Sequence, residues 1–472
     1  MENPSVLEAQ RQIRTEGAAH PAAGRPIRDE VAAAPRDSAA GLPRDSAASE
    51  RSARYSILAE GLIGSPILKI AAEVRALASS GARICNLTVG DFAPSEFPVP
   101  ELLSRELATA VQRGETNYPP SAGMPALRKA VAEFSARRLA LNVAADDVLI
   151  AAGARPLIYG AYRVLVDPGD RVVFPVPSWN NVHYCQMSGG VPVSVACDAR
   201  TAFLPTAAML RHKLRDARLL VLNSPVNPTG TVFTPEQLEE ICDAVLEENE
   251  RRAGSDRPLY VLYDQVYWML TFGVDHVHPV ALRPEMARYS VYVDGISKSF
   301  AATGLRVGWG MGPRTIMQQM SDLLTHVGAW APRPEQVATT ALLGNDTEID
   351  RYHDHMRAEV LKRLSAAHDG IVALKQEGHP ADATIPSGAI YLSARFDLQG
   401  RSVAVDGKRV ELRSDDDVRS YLLRSAGLAA VPFSAFGQAE GSGWFRLSVG
   451  AVSIQEIQDL MPRLRSALEA VS

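Results

Sequence analysis

The feature that most constrains the fold is an alternation of short β-rich runs and helical segments that begins at about residue 56. Alternation of this kind is typical of an α/β layer fold. Several β-rich runs end in polar or glycine-rich loops, and open α/β sheets bind ligands beyond the carboxyl ends of their strands. The runs include 147–151, 171–175, 218–223, 259–264 and 289–294.

One helix has clear start signals. Thr234 and Gln237 form a predicted capping box, and Pro235 occupies the first helical position. The apolar residues that follow fall on one helical face and are Leu238, Ile241, Cys242 and Val245. This segment is therefore predicted to be a helix that packs against a core.

Composition limits the partners of the chain. Its 472 residues, 46% of them hydrophobic, can bury a large core and leave room for more than one domain. A formal net charge of −5 supplies no broad positive field, so we expect small-molecule substrates and no nucleic-acid partner. No apolar run approaches the roughly 20 residues of a membrane span, and the polar N-terminus lacks the apolar core of a signal peptide.

The cysteines indicate a reducing compartment. The chain has four, and they show neither the close pairing of a zinc site nor the density of a disulfide framework. They are Cys85, Cys185, Cys197 and Cys242. We therefore predict reduced thiols, a cytoplasmic protein and no metal site.

The first 55 residues differ in composition from the rest. They are rich in Ala, Pro, Arg, Asp and Ser, and the hexapeptide Pro-Arg-Asp-Ser-Ala-Ala occurs at 35–40 and again at 43–48. Such a segment buries too little apolar surface to offset its ordering entropy, so a disordered tail is predicted. The repeat could also be a docking signal.

A lysine and an arginine that follow one β-rich run indicate chemistry. Lys298 lies in the segment 294–300, and Arg306 follows in 303–308. A lysine beyond a buried strand can lose its proton by desolvation and attack an aldehyde, while an arginine offers a fork for phosphate. Taken alone, the segment fits a solvated lysine beside a salt-bridging arginine better.

Two neighbouring strands supply the other groups that a pyridine-aldehyde cofactor requires. Asp264 ends one β-rich run and suits the protonated ring nitrogen, since a pyridinium electron sink needs an anionic partner. Asn227 and Tyr267 can donate to the phenolic oxygen of the ring. Singly these residues fit a turn, a helix cap and a core tyrosine, but their ordered combination makes those alternatives poor.

Together these motifs resemble the class I/II aminotransferases of pyridoxal 5′-phosphate fold type I, which are related to aspartate aminotransferases. The resemblance covers about residues 56–472. It implies an α/β fold in which a large domain holds a mainly parallel sheet between helices and a smaller α+β domain accompanies it. The implied organisation is a tail at 1–55, small-domain segments at 56–100 and 346–472, and a large domain at 101–345.

The resemblance also implies residue roles. Lys298 is similar to the lysine that binds the cofactor as a Schiff base, Asp264 to the ring-nitrogen partner, and Asn227 and Tyr267 to the ligands of the phenolic oxygen. Arg306 is similar to the phosphate-binding arginine. Lys298, Asp264 and Tyr267 are the predicted catalytic residues.

A predicted helix start offers further phosphate donors. Gly153-Ala154-Arg155-Pro156 opens a helical run, and helix N-termini present unpaired N–H groups to anions. Pro156 has no N–H, so Ala154 and Arg155 are the expected donors, with Ser297 a further candidate. A plain helical turn is the alternative at Gly153.

Two aromatic residues have counterparts in the family. Trp179 resembles the aromatic residue that stacks on the pyridine face and borders the substrate, although a core tryptophan would fit as well. Tyr118 resembles the tyrosine that reaches the phosphate from the partner subunit. That likeness implies a homodimer with active sites at its interface.

The substrate carboxylate is expected at Arg446, because a guanidinium binds a carboxylate bidentately. Gly90 resembles the family glycine whose backbone approaches the same carboxylate, and Asn227 is expected to contact the substrate too. The alternatives are a surface ion pair for Arg446 and a turn for Gly90.

Two positions depart from the family pattern. Gly295 stands where many relatives have serine, so one phosphate hydrogen bond is expected to be missing or supplied by Ser297. Trp330 lies where the partner's loop would approach, and it fits either a pocket wall or interface packing.

The predicted function is amino transfer from an L-amino acid to a 2-oxo acid. The main alternative is a lyase or carbon–carbon bond-forming enzyme, for example one that eliminates a γ-substituent from S-adenosylmethionine. A regulator that uses such a domain as a sensor would need a DNA-binding module in front, and residues 1–55 show no helical periodicity for one. The motifs name neither the amino acid nor the acceptor.

Overall fold

The structure is a computed structural model that describes residues 55–62, 64, 66–254, 257–405 and 408–472. Within it, Ser56–Ser472 forms one compact unit. The predicted tail lies outside the described residues apart from Tyr55. The predicted domain boundaries at residues 100 and 345 stay predictions.

The α-helices are numbered α1 to α15 in chain order. They are Ile57–Gly61, Pro66–Ser79, Glu101–Gln112, Pro125–Leu139, Ala154–Leu165, Asn181–Ser188, Ala207–Leu214, Pro235–Arg251, Pro279–Leu282, Ile296–Ser299, Arg314–Val327, Arg333–Leu343, Asp346–Gln376, Asp415–Ala426 and Ile454–Glu469.

The strands are numbered β1 to β15 in chain order. They are Cys85–Asn86, Val148–Ala151, Arg171–Val176, Val191–Ala196, Ala217–Asn223, Tyr260–Asp264, Ser290–Gly295, Gly308–Met311, Ala381–Ala383, Tyr391–Phe396, Ser402–Val405, Lys408–Glu411, Leu428–Ala429, Val431–Pro432 and Trp444–Ser448.

A seven-stranded sheet forms the centre of the unit. Its order is β2-β8-β7-β6-β5-β3-β4. The pairs from β4 through β7 are parallel, whereas β8 pairs antiparallel with both β7 and β2. This is the mainly parallel sheet that the sequence predicts.

Both faces of this sheet are buried. In β5, Leu220 and Leu222 belong to one buried cluster, and Leu219 and Val221 belong to another on the opposite face. Parallel strands covered by helices on both faces are continuously apolar, which explains why these runs could be recognised without alternation. The five predicted runs match β2, β3, β5, β6 and β7 to within one residue.

The predicted helix start is confirmed at α8. Thr234 and Gln237 form a reciprocal capping box, with Pro235 at the first position. The four apolar residues predicted for its inner face are all buried.

A smaller antiparallel sheet has the order β14-β15-β10-β9. Apolar residues of α13 and α15, such as Leu364 and Leu460, pack in the same buried cluster as Leu392 and Leu447 of this sheet. Separately, the short strand β1 pairs in parallel with β13. Ser448 then donates from its N–H to the Leu87 carbonyl at 2.8 Å, which holds the loop after β1 beside β15.

In the described part of the chain, no helix has the length and apolarity needed to cross a membrane. Nor do the described residues contain a group of three or more His, Cys, Asp or Glu side chains that could hold a metal ion.

Candidate active site

A cavity of about 760 Å³ opens at the carboxyl ends of β5, β6 and β7. The β-strand register places Asn223 beside Asp264 at this edge. Every predicted site residue except Tyr118 lines the cavity. These residues are Gly90, Ala154, Arg155, Trp179, Asn227, Asp264, Tyr267, Ser297, Lys298, Arg306 and Arg446.

Lys298 lies in α10, the single turn that follows β7. Its Nζ donates to the Gly90 carbonyl at 2.6 Å, and no carboxylate of the described residues forms an ion pair with it. Burial lowers the pKa of Lys298 to about 8; Asp91 opposes this shift, whereas Arg446 adds to it. A lysine in this environment is more readily neutral, and therefore nucleophilic, than an exposed one.

Asp264 ends β6 and is directed into the cavity. Its Oδ1 accepts from the Val266 N–H at 3.2 Å within a turn, and no helix of the described residues begins there, so the helix-cap alternative for Asp264 is wrong. Burial raises the pKa of Asp264 to about 6, and Lys298 acts in the opposite direction. A carboxylate that has lost its hydration is a strong partner for a protonated ring nitrogen.

Asn223 is a residue that sequence reasoning did not assign to the site. Its Nδ2 donates to the Asp264 carbonyl at 2.8 Å, and its Oδ1 accepts from the Asn227 N–H at 2.7 Å. It therefore links the two strand ends that carry Asp264 and Asn227. Its position at the end of a predicted strand was the available signal.

The N-terminus of α5 and Arg306 form one end of the cavity. Gly153 is the N-cap residue with φ of 88°, and a Cβ added to it would lie 2.4 Å from Arg306 Nη2. Arg306 donates to the carbonyls of Thr303 at 2.7 Å and Ala152 at 3.0 Å. Among the described residues it forms no ion pair, so the salt-bridge alternative for Arg306 is wrong.

Arg306 itself has a left-handed backbone, with φ of 56°. For a residue other than glycine such a conformation costs of order 1–3 kcal/mol and is found where surrounding structure imposes it. Here the strained residue places its guanidinium over Gly153. Glycine at 153 is therefore required both by the backbone angle and by the guanidinium.

The structure gives a steric reason for Gly295. A Cβ at this position would lie 2.7 Å from the Val307 carbonyl oxygen and 2.8 Å from the Gly308 Cα. Serine cannot be placed there without moving β8. Ser297, which lines the cavity, is the remaining hydroxyl of this segment that faces it.

Trp179 and Arg155 form one wall of the cavity. The guanidinium carbon of Arg155 lies 5.3 Å from the centre of the Trp179 ring. The same ring packs at 6.3 Å from Phe436 and belongs to the edge of a buried cluster. Trp179 is thus partly a core residue, and it also lines the cavity.

Arg446 lies in β15 and is only 2% exposed. Its Nη1 donates to Asn227 Oδ1 at 3.1 Å and its Nη2 to the Thr88 carbonyl at 2.7 Å. No carboxylate of the described residues pairs with it, so the surface ion pair considered from the sequence is wrong. A buried guanidinium whose Nε has no partner in the described structure favours an incoming anion.

Tyr267 is buried beside a second tyrosine. Its hydroxyl oxygen lies 2.5 Å from that of Tyr391, and the two rings meet edge to face at 5.5 Å. Burial raises the pKa of both hydroxyls. Tyr391 also lines the cavity, but in sequence it is one residue of an ordinary buried strand, and nothing there marks it.

Tyr118 lies outside the cavity and is 82% exposed. Its ring contacts that of Trp330 edge to face at 5.4 Å. Trp330 does not line this cavity either. Their predicted roles toward a partner subunit remain predictions.

Comparison with known proteins identifies the family. The model of aminotransferase class I and II matches residues 82–464. The chain belongs to this family. Aspartate aminotransferase of Rhizobium meliloti (strain 1021) is 31% identical over 419 residues, which cover 86% of the chain and 94% of that relative.

Solved structures agree with this assignment. The crystal structure of the aspartate aminotransferase from Rhizobium meliloti matches with a TM-score of 0.79 at 28% identity, and covers 89% of this chain and 100% of that one. The aspartate aminotransferase of Thermus thermophilus with maleate matches with a TM-score of 0.77 at 26% identity, over 88% and 99% of the two chains. The fold is therefore that of the fold type I enzymes.

The chain is thus an aminotransferase that uses pyridoxal 5′-phosphate and acts on amino-acid and 2-oxo-acid substrates. The names of its relatives favour amino transfer over the lyase alternative. The residues present fit the cofactor, because Lys298 forms no ion pair with a carboxylate of the described residues and Asp264 is a half-buried carboxyl that lines the same cavity. Arg306 packed on Gly153 at a helix N-terminus fits a phosphate group.

Proposed function

We propose that this aminotransferase binds pyridoxal 5′-phosphate through Lys298 and transfers the amino group of an L-amino acid whose α-carboxylate is bound by Arg446. The observation that carries the proposal is the convergence of three charged groups on one cavity, of which Arg446 is buried and Lys298 and Asp264 are half-buried. Lys298, Asp264 and Arg446 all line it. None of them forms an ion pair within the described residues.

The groups that hold the cofactor are spread around the cavity. Arg306, the N–H groups of Ala154 and Arg155, and Ser297 would bind the phosphate. Asp264 would hold a proton on the ring nitrogen, and Trp179 would cover the ring face. Asn227 and Tyr267 would donate to the phenolic oxygen. All of the residues with these roles line the cavity, and they are Ala154, Arg155, Trp179, Asn227, Asp264, Tyr267, Ser297 and Arg306.

Bound pyridoxal 5′-phosphate supplies an electron-withdrawing ring that acidifies the α-proton of the amino acid. Lys298, once its amine is free, would take up that proton as the general base and give it back as the general acid of the transfer. Arg446 fixes the α-carboxylate, and the Gly90 backbone lies beside it, since a Cβ on Gly90 would be 3.6 Å from Arg446 Nη1. The burial that lowers the pKa of Lys298 to about 8 makes its free base accessible near neutral pH.

Aspartate is the amino donor that we propose. The relatives are named aspartate aminotransferases, and the Thermus structure holds the dicarboxylate maleate. Besides Arg446, the guanidinium-bearing residues Arg75 and Arg155 line the cavity and could receive a second carboxylate. We further propose a cytoplasmic homodimer in which Tyr118 contributes to the site of the partner subunit.

The test is reduction of the holoenzyme with borohydride followed by peptide mapping. We expect the cofactor on Lys298, loss of visible absorbance in Lys298→Ala, and unchanged absorbance in Lys129→Ala, whose lysine is exposed. Mixing with aspartate should remove the visible band and release an equal amount of oxaloacetate. Labelling of another lysine would refute the assignment, and cofactor return without any 2-oxo acid would refute amino transfer.

A further inference from the structure

We propose that Tyr391 is a positioning residue that donates a hydrogen bond to Tyr267 and so sets the pH at which the cofactor-bound Lys298 nitrogen loses its proton. The inference rests on the proposed function, in which Tyr267 donates to the phenolic oxygen of the cofactor. Tyr391 lies at the start of β10 and is fully buried.

The side chain of Tyr391 touches both halves of the site. Its hydroxyl oxygen is 2.5 Å from that of Tyr267, on the cofactor side. On the carboxylate side, its ring lies 4.9 Å from the guanidinium carbon of Arg446. The same hydroxyl would be 2.9 Å from a Cβ on Gly90. Tyr391 therefore joins the two sets of residues that the reaction needs.

The direction of the hydrogen bond follows from the neighbours. Tyr267 has one hydroxyl proton, and if it went to Tyr391 none would be left for the cofactor oxygen. Arg446 is a donor only, so it cannot accept the proton of Tyr391. The cation of Arg446 opposes the burial that raises the pKa of both hydroxyls, but it is the larger influence on Tyr391, whose ring it contacts, and this makes Tyr391 the better donor. Donation from Tyr391 to Tyr267 leaves the proton of Tyr267 available.

Several charged or titratable groups face this pair and Lys298. For the two tyrosines they are Asp91, Asp264 and Arg446. Lys298 is faced in addition by Arg155 and Arg306. None of these groups is changed when one tyrosine hydroxyl is removed. A change in the pH at which the Lys298 nitrogen loses its proton therefore reports the hydrogen bond between the tyrosines.

The sign of the effect follows from where negative charge lies. A donor to the phenolic oxygen takes up part of its negative charge and weakens its attraction for the proton on the Lys298 nitrogen. That proton is therefore lost at lower pH when Tyr267 donates well. Tyr391→Phe weakens the donation and should raise the pH midpoint at which the Lys298 nitrogen loses its proton. The expected rise is about half to one pH unit, which corresponds to the free energy of a typical hydrogen bond.

The experiment is a pH titration of the visible band of the holoenzyme without substrate. It compares the wild type with Tyr391→Phe, Tyr267→Phe and the double variant. Both single variants should have raised midpoints, with the larger shift in Tyr267→Phe. The double variant should match Tyr267→Phe alone, because Tyr391 acts through Tyr267. Tyr421→Phe is the matched control, since Tyr421 is buried and its hydroxyl donates to the Ala467 carbonyl at 2.6 Å.

Each outcome decides a separate claim. An unshifted Tyr391→Phe beside a shifted Tyr267→Phe would overturn this inference and leave the proposed function standing. Two unshifted variants would refute the role proposed for Tyr267. A Tyr391→Phe shift that persists without the Tyr267 hydroxyl would mean that Tyr391 acts directly, which also overturns the positioning role.

A second variant keeps the test decisive if the phenylalanine variant folds poorly. Fluorotyrosine at position 391 preserves the shape of the ring and makes the hydroxyl more acidic. It should strengthen the donation to Tyr267 and move the midpoint to lower pH, opposite to phenylalanine. A midpoint that stays fixed or rises would contradict the proposed direction of the hydrogen bond.

Discussion

At the scale of single residues, the site is organised by charged groups that form no ion pair with other described residues. Burial shifts the pKa of each of these groups in the direction that favours the neutral form: it lowers the pKa of Lys298 and Arg446 and raises that of Asp264. Keeping such groups buried costs stability, and replacing them with apolar residues is often neutral or stabilising. The cost is offset when ligands bring the missing counter-charges: a carboxylate for Arg446 and a protonated nitrogen for Asp264.

Arg446 gives the clearest test of this balance. Arg446→Met should change the thermal midpoint of the substrate-free holoenzyme little, because removal of a buried cation that forms no ion pair among the described residues offsets the loss of its hydrogen bonds to Asn227 and the Thr88 carbonyl. The same change should raise the KM for the amino acid by about 100-fold, since the α-carboxylate loses its cationic partner. Calorimetry and steady-state kinetics measure the two effects.

Arg395→Met is the control. Arg395 lies in the same small sheet, but its side chain is exposed and forms an ion pair at 3.4 Å with the exposed Asp397. It should change neither quantity. A large loss of stability in Arg446→Met with an unchanged KM would show that Arg446 is structural.

At the scale of elements, the ends of β5, β6 and β7 do most of the positioning. Asn223, Asp264 and Gly295 end these strands, and Lys298 follows one turn later. Asp294 directly precedes Gly295 in β7. It is 2% exposed, and its carboxyl accepts from Trp268 Nε1 at 2.8 Å and from the Gly295 N–H at 2.7 Å.

Asp294 predicts a pH dependence of stability. Burial raises its pKa to about 8, and the nearby Asp264 adds to the shift. Between its ordinary pKa of about 4 and this value, the folded state holds a proton that the unfolded state has released, so stability falls as pH rises through this window. In Asp294→Asn that fall should be much smaller.

The measurement is the urea midpoint of unfolding from pH 5 to pH 8. The change with pH is compared rather than the absolute stability, because Asn can accept from only one of the two donors. Asp382→Asn, at an exposed ion pair with Lys375, should keep the wild-type dependence. Equal slopes for Asp294→Asn and the wild type would mean that Asp294 stays ionised.

The elements also show what sequence can predict. Continuous apolar runs mark buried parallel strands, so β5, β6, β7 and the polar residues at their ends were predictable. The burial of Arg446 and the contact between Tyr391 and Tyr267 were not. The two tyrosines are 124 positions apart, and their contact depends on how β10 packs beside the turn after β6. The steric reason for Gly295 likewise depends on β8.

At the scale of the whole molecule, the cavity is completed by distant parts of the chain. The pairing of β1 with β13 brings Cys85 beside Leu428. Arg446 then donates to the Thr88 carbonyl, across 358 positions. The carboxylate subsite therefore forms only when both ends of the described unit have folded together.

At this scale, the proposed homodimer has two chains that complete each site. Tyr118 is 82% exposed and does not line the cavity of its own chain, yet it is the proposed phosphate ligand of the partner subunit. If that is so, Lys298 and Tyr118 act in one site from different subunits. In a hybrid dimer that combines a Lys298 variant with a Tyr118 variant, both substitutions then fall in one site and leave the other site intact.

Lys298→Ala and Tyr118→Ala homodimers should both be impaired, the second through weaker cofactor binding. Co-expression of differently tagged subunits gives hybrids in which one site has both lesions and the other has none, so about half of the hybrid's sites should regain wild-type turnover. Cofactor content and oxaloacetate formation of the purified hybrid measure this. Val410→Ala, at an exposed position of β12, replaces Tyr118→Ala in the control hybrid and should also give one active site per dimer. If the Tyr118 hybrid instead shows only about half the weak activity of the Tyr118→Ala homodimer, Tyr118 acts within its own subunit and the shared site is refuted.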